Sequence, residues 1–248
     1  MTITIVSAFI RNMNNREDYK TDAYLENGKL LLKTAVNKVI FLDQDTYNEL
    51  KEFQNEQTKF IITTSKDIYL YQYTHLLTHM NISTKNPQKD TTDYFYLMCN
   101  KTEFVKQAID MNLFNSDNFV WIDFGIRYIF TPLSILNDQI FMNSVERLNN
   151  ISYNNVRIGS IWKHYQQSNT NDNPFTTIIW QFAGGVFGGN KEQLIRFATL
   201  TKEMCLRTIF EHNTIMWEVN IWHLVYKEYP EIFDLYPCDH NNSILDNY

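Results

Sequence analysis

Two rhythms of apolar residues organise the chain. Thr2–Phe9 (TITIVSAF), Lys38–Leu42, Lys59–Thr63, Asn118–Asp123, Val156–Ser160 and Thr176–Phe182 are short runs rich in Val, Ile, Phe and Thr, and they predict buried strands. Between them apolar positions return at helical spacing. Tyr24, Leu25, Leu30 and Leu31 predict a helix over Tyr19–Thr34. Leu97, Phe104, Val105, Ala108 and Ile109 predict one over Asp93–Met111, and two more follow at Asn190–His212 and Glu218–Tyr229. Asp45 is placed to cap a helix reaching about Phe53. Asn12–Asp18 is a polar loop, and Lys163–Pro174, rich in Asn, Gln and Ser, predicts a surface loop able to close over a ligand.

Strands alternating with helices imply an α/β domain with a mainly parallel sheet covered on both faces. Ligands gather at the carboxyl ends of the strands of such sheets. That rule points at Ser7–Arg16, Asp123–Arg127 and Phe182–Gly189.

Composition narrows the class. With 248 residues, 44% of them apolar and 20% charged, the chain is long enough for a full core and too apolar for disorder. The formal net charge of -6 comes without a basic stripe, which argues against nucleic acid as a partner. A single phosphate-bearing small molecule remains compatible. Cys99, Cys205 and Cys238 are odd in number and have no CxxC pair, so they are expected as reduced thiols in a cytoplasmic setting. Met1–Phe9 lacks the pattern of a signal peptide, and no apolar run approaches the ~20 residues of a membrane span.

Four segments carry candidate chemistry. In Trp121-Ile122-Asp123-Phe124-Gly125 an acidic residue ends a buried strand, either as a ligand for Mn²⁺ or Mg²⁺ or as the cap of the next helix. Phe182–Gly189 (FAGGVFGG) holds four of the chain's seven glycines, more than a tight turn needs, and is expected to be a loop facing a ligand. No Gly-Lys-Ser/Thr follows it, so it is not a phosphate loop of the Walker kind. Trp217–His223 (WEVNIWH) places Glu218 at a helix start among bulky aromatics, as a tuned base or nucleophile or as an ordinary first-turn acid. Asp239-His240 offers a metal ligand or a plain exposed tail, while His75 and His79 lack an HExxH context and are left as structural.

Taken in order, the opening TIVSAF with Arg16 nearby, NKTEFVKQAI, WIDFGI, FAGGVFGG, WEVNIW and the closing DHNNSIL resemble the HtrL/YibB family over nearly the whole chain. That family is grouped with the GT-A nucleotide-diphospho-sugar transferases. The resemblance implies one GT-A-like, Rossmann-like domain over residues 1–248. It implies base and phosphate contacts from Ala8, Phe9 and Arg16, and nucleotide contacts from Asn100 and Lys101. It implies a divalent cation, Mn²⁺ or Mg²⁺, on Asp123. Gly125 stands where the second Asp of an Asp-x-Asp motif belongs, and His240 or Asp239 would have to supply the missing ligand. Gly184 and Gly185 fall in the segment that faces donor and acceptor, and Glu218, with Asn220 beside it, falls where the nucleophile or base lies.

The activity so implied is transfer of a sugar from a nucleoside-diphosphate sugar of UDP or GDP type to a glycan or other hydroxyl acceptor. The missing second Asp motivates one alternative, a nucleotide-sugar-binding protein without turnover; a third reading is an interaction module that keeps only the fold.

Overall fold

The computed structural model describes residues 2–13, 21–77, 89–161 and 173–248. Arg16, His79 and nearly all of the polar stretch expected at Lys163–Pro174 lie outside them. Seven strands form one sheet: β1 (Ile3–Phe9), β2 (Asn37–Leu42), β3 (Thr58–Ile62), β4 (Asn118–Ile122), β5 (Val156–Ser160), β6 (Phe182–Asn190) and β7 (Phe233–Pro237). Their spatial order is β3-β2-β1-β4-β6-β5-β7. β1 runs parallel to β2 and β4, β2 to β3, and β5 to β7, whereas β6 is antiparallel to both β4 and β5. The expected α/β class with a mainly parallel sheet is therefore the class found.

The helices among the described residues are α1 (Thr21–Leu32), α2 (Gln44–Leu50), α3 (Thr92–Cys99), α4 (Lys101–Met111), α5 (Ile135–Arg147), α6 (Lys191–His212), α7 (Glu218–Glu228) and α8 (Ser243–Asp246). Successive strand residues point to opposite faces. Val6, Val39, Phe119, Trp121 and Phe187 join the core with Phe104 of α4, Phe197 of α6 and Trp222 of α7. Ile5, Ile40, Val120, Ile122 and Val186 join the other, with Leu25 and Leu31 of α1, Phe141 of α5 and Ile244 of α8. Because both faces are buried there, the central strands β1 and β4 are mostly apolar rather than alternating. Each fully buried large side chain contributes about 1.5–3 kcal/mol.

Several expectations are corrected. Thr176–Phe182 is not a strand; the strand begins at Phe182 and contains FAGGVFGG, so the glycines lie in β6 and not in a loop, and none has positive φ. The single helix expected over Asp93–Met111 is two helices meeting at Asn100, which closes α3 and opens α4. The cap of α2 is Asp43, whose Oδ1 accepts from Thr46 N at 2.8 Å, and not Asp45, which lies inside the helix. The sequence pattern did not anticipate α5 or β7. All three cysteines are free thiols, two of them buried. Among the described residues no helix is long and apolar enough to cross a membrane.

Candidate active site

The topology brings five chain segments to one edge of the sheet. β1 and β4 are parallel and end there at Phe9 and Ile122, and β6, being antiparallel, starts there. The backbone N–H of Asp123 donates to Gly185 O at 2.9 Å and so continues the β4–β6 ladder one step beyond the strand. α4 begins at the same place with Lys101, and α7 with Glu218.

Lys101 is the centre of the arrangement. Its side chain is 2% exposed, and its ammonium lies 2.9 Å from Asp123 Oδ1, 2.9 Å from Glu218 Oε1 and 3.0 Å from Gly184 O. An ammonium has three protons, and here each has an acceptor. Burial pulls the Lys101 pKa down, but Asp123 and Glu218 outweigh it and hold the group above its ordinary value, charged at every physiological pH. Trp121 Nε1 donates to the same Asp123 Oδ1 at 2.7 Å. Glu218 Oε2 is buried and has no hydrogen-bond partner among the described residues. One carboxylate oxygen is thus fixed and the other is buried without a partner among the described residues.

Two cavities meet at this cluster. One, of about 280 Å³, is walled by Ala8, Phe9, Tyr24 and Trp121. The other, of about 470 Å³, is walled by Trp180, Gly184, Gly185, Trp217, Glu218 and His240. Lys101, Asp123, Lys89, Tyr94 and Tyr128 line both. In the first, Phe9 and Tyr24 stack at 4.9 Å, which presents flat apolar surface. In the second, His240 meets Trp180 edge to face at 4.7 Å, and Lys89 Nζ lies 5.0 Å from the Trp217 ring centre. Partial burial against Trp180 lowers the His240 pKa, with Asp239 opposing and Lys89 reinforcing.

Ala8, Phe9, Lys101, Asp123, Gly184, Gly185, Glu218 and His240 are therefore brought together as the sequence suggested, although Lys101 serves the two carboxylates first. Asn220 is not at the cavity. Its fully buried amide donates to Pro174 O at 2.6 Å and Thr177 O at 2.7 Å and accepts from Ile179 N at 2.9 Å, tying the segment before β6 to α7. Asn100 is wholly buried at the α3–α4 junction and lines neither cavity. Arg11, in the loop after β1, pairs with Glu49 at 2.7 Å. Lys89, Tyr94 and Tyr128 carried no motif. Trp217 had one signal, its place beside Glu218.

The donor set does not fit the divalent ion that the resemblance implies. Among the described residues no three His, Cys, Asp or Glu side chains gather in a way that could hold a metal. Asp123 Oδ1 already receives an ammonium and an indole N–H.

A family model described as "bacterial protein of unknown function (HtrL_YibB)" matches residues 2–244. The chain belongs to this family. A search of curated protein sequences finds no match. Among solved structures, the apo form of mouse xyloside xylosyltransferase 1 superposes with a TM-score of 0.48 and 12% identity over 96% of this chain and 86% of that one. The galactosyltransferase LgtC, in complex with donor and acceptor sugar analogues, superposes with a TM-score of 0.47 and 11% identity over 94% of this chain and 72% of that one. Likenesses this distant assign no role to any residue of the HtrL_YibB chain.

Proposed function

We propose that the protein transfers a sugar from a nucleoside-diphosphate sugar of UDP or GDP type to a hydroxyl acceptor such as a glycan. The observation that carries this reading is the meeting of the two cavities at Lys101, Asp123 and Glu218. The first cavity suits the nucleotide, with the base against Phe9 and Tyr24 and the diphosphate towards Lys101. The sugar then lies past Asp123, at the mouth of the second cavity, whose wall includes Glu218. The acceptor hydroxyl enters below Trp180 and His240.

In the transfer the bond from the anomeric carbon to the diphosphate breaks, and its electron pair leaves with the nucleoside diphosphate. A new carbon–oxygen bond forms to the acceptor, whose proton is released. Lys101 holds positive charge near the departing phosphate, and the Glu218 carboxylate stabilises or attacks the positive sugar centre. No step here is assigned to Mn²⁺ or Mg²⁺. Residues 1–248 act in this reading as one GT-A-like domain.

The test is release of UDP or GDP from a panel of sugar nucleotides with hydroxyl acceptors. Glu218→Gln, which keeps shape and removes charge, should lower turnover by roughly 100-fold or more. Unchanged turnover would refute the role given to Glu218. One observation favours a second reading, a sugar-nucleotide-binding protein without turnover: Lys101 already neutralises one oxygen of each carboxylate. Tight binding of a sugar nucleotide with no release of product over days would select it.

A further inference from the structure

We propose that Lys101 occupies the place of a divalent cation in this pocket, so that a diphosphate-bearing ligand is held by ammonium groups and not through a metal. The part about the diphosphate rests on the function proposed above; the part about the cation does not.

Three features of the pocket converge. First, the lone pairs of Asp123 that point inward are used, since Oδ1 lies 2.9 Å from Lys101 Nζ and 2.7 Å from Trp121 Nε1. A metal ion on this carboxylate would sit beside a buried ammonium, and like charges at that range repel strongly where water is excluded. Second, the position of the absent partner acid has no room for a side chain. A Cβ on Gly125 would stand 2.5 Å from the Tyr24 ring, and that ring is stacked on Phe9 in the wall of the first cavity. A carboxylate there would displace the aromatic surface that the nucleotide reading needs. Third, the ammonium is built in. The Lys101 side chain is 2% exposed, all three protons of its ammonium have acceptors, and it bridges carboxylates from two different elements, as a shared cation does.

The charges also balance. Lys101 and Lys89 both line the two cavities, as does Asp123, and Glu218 closes the second. Two ammoniums thus face two carboxylates, so these four groups leave no net negative charge to repel a diphosphate. Oxygen-selective divalent ions need several free oxygen donors, and Lys101 already holds one oxygen of each carboxylate.

The experiment titrates the full-length protein with Mn²⁺ alone and follows the free ion by electron paramagnetic resonance. The wild-type protein should take up none at micromolar concentrations. Lys101→Met leaves two carboxylates facing one vacated place and should gain a Mn²⁺ site; if the variant is unstable, Mn²⁺ should raise its melting temperature while leaving that of the wild type unchanged. Micromolar uptake by the wild type that Asp123→Asn abolishes would overturn the proposal, and so would a Lys101→Met protein that Mn²⁺ neither binds nor stabilises. In a second arm, UDP and GDP should bind equally well in EDTA and in Mn²⁺, and a tenfold tightening by Mn²⁺ would also overturn it. If neither nucleotide binds in either buffer, the functional reading and the diphosphate part fail, while the Mn²⁺ titration still decides whether Lys101 holds the cation's place.

Discussion

A Cβ placed on Gly184 would stand 2.5 Å from Glu218 Oε1 and 3.2 Å from Val219 Cγ1. The glycine and the carboxylate therefore fit one another, and the strand can pass under α7 only where it carries no side chain. Gly184→Ala should push the Glu218 carboxylate off Lys101. The expected cost is about 1–3 kcal/mol of stability from overpacking and roughly 100-fold in turnover from a displaced group. Urea unfolding and product release measured on the same protein check both, and an alanine variant that matches the wild type in each would remove Glu218 from the site.

Lys101 makes a second prediction. Removing one partner of a buried ion cluster leaves the others uncompensated, so Lys101→Met should destabilise the fold by about 3–5 kcal/mol. The triple variant Lys101→Met, Asp123→Asn, Glu218→Gln removes all the charges and should recover most of that loss. Because the folded pKa is raised, the stabilisation by Lys101 is complete below its ordinary value of 10.5 and disappears only as pH rises through the higher folded value. The difference between wild type and Lys101→Met in urea should stay constant from neutral to mildly alkaline buffer, and a fall over that range would contradict this.

Much of this was legible in the chain because short apolar runs and acidic strand ends are local signals. Asp123 and Glu218 stood out at element boundaries, and both reach the cavity. The glycines of β6 misled for a physical reason. A Cβ on Gly188 would meet Tyr248 Oη at 2.3 Å and Val120 Cγ2 at 2.8 Å, so Gly188 answers close packing at the sheet, which no window of sequence reveals. The bonds of Lys101 to Gly184 and Glu218 were not legible, because those acceptors come from residues 83 and 117 positions away. β7 has two exposed residues among five and a short apolar pattern, so its pairing with β5 decides its state. α5 opens with Ile135 88% exposed and Leu136 70% exposed, which breaks the expected amphipathic rhythm.

His223 predicts the acid side of the stability curve. Burial lowers its pKa from 6.5 to about 4, with Lys227 adding to the effect, and its Nδ1 is in close contact with Gln181 Oε1. The unfolded chain binds a proton at higher pH than the folded one. Stability from the neutral ring is therefore complete above pH 6.5 and declines as pH falls through the interval down to about 4. His223→Gln should flatten that part of the melting-temperature profile, and a profile with unchanged slope would assign the acid sensitivity elsewhere.

Asn220 separates a positioning role from a chemical one. Its amide donates to Pro174 O and Thr177 O and accepts from Ile179 N, so Asn220→Ala orphans three backbone groups at a cost of about 1–3 kcal/mol each where they stay buried. The segment it holds leads directly to Trp180 in the wall of the second cavity. Hydrogen exchange at the Ile179 amide should quicken at least tenfold, while the Lys101–Glu218 bond keeps its partners. Asn220→Asp distinguishes the two roles. A carboxylate still accepts from Ile179, but it donates to nothing and faces two carbonyl oxygens. If Asn220 only ties the segment down, Asp should be as damaging as Ala to exchange at Ile179. If Asn220 instead assisted Glu218 in the chemistry, Asp would leave the segment protected and alter turnover alone.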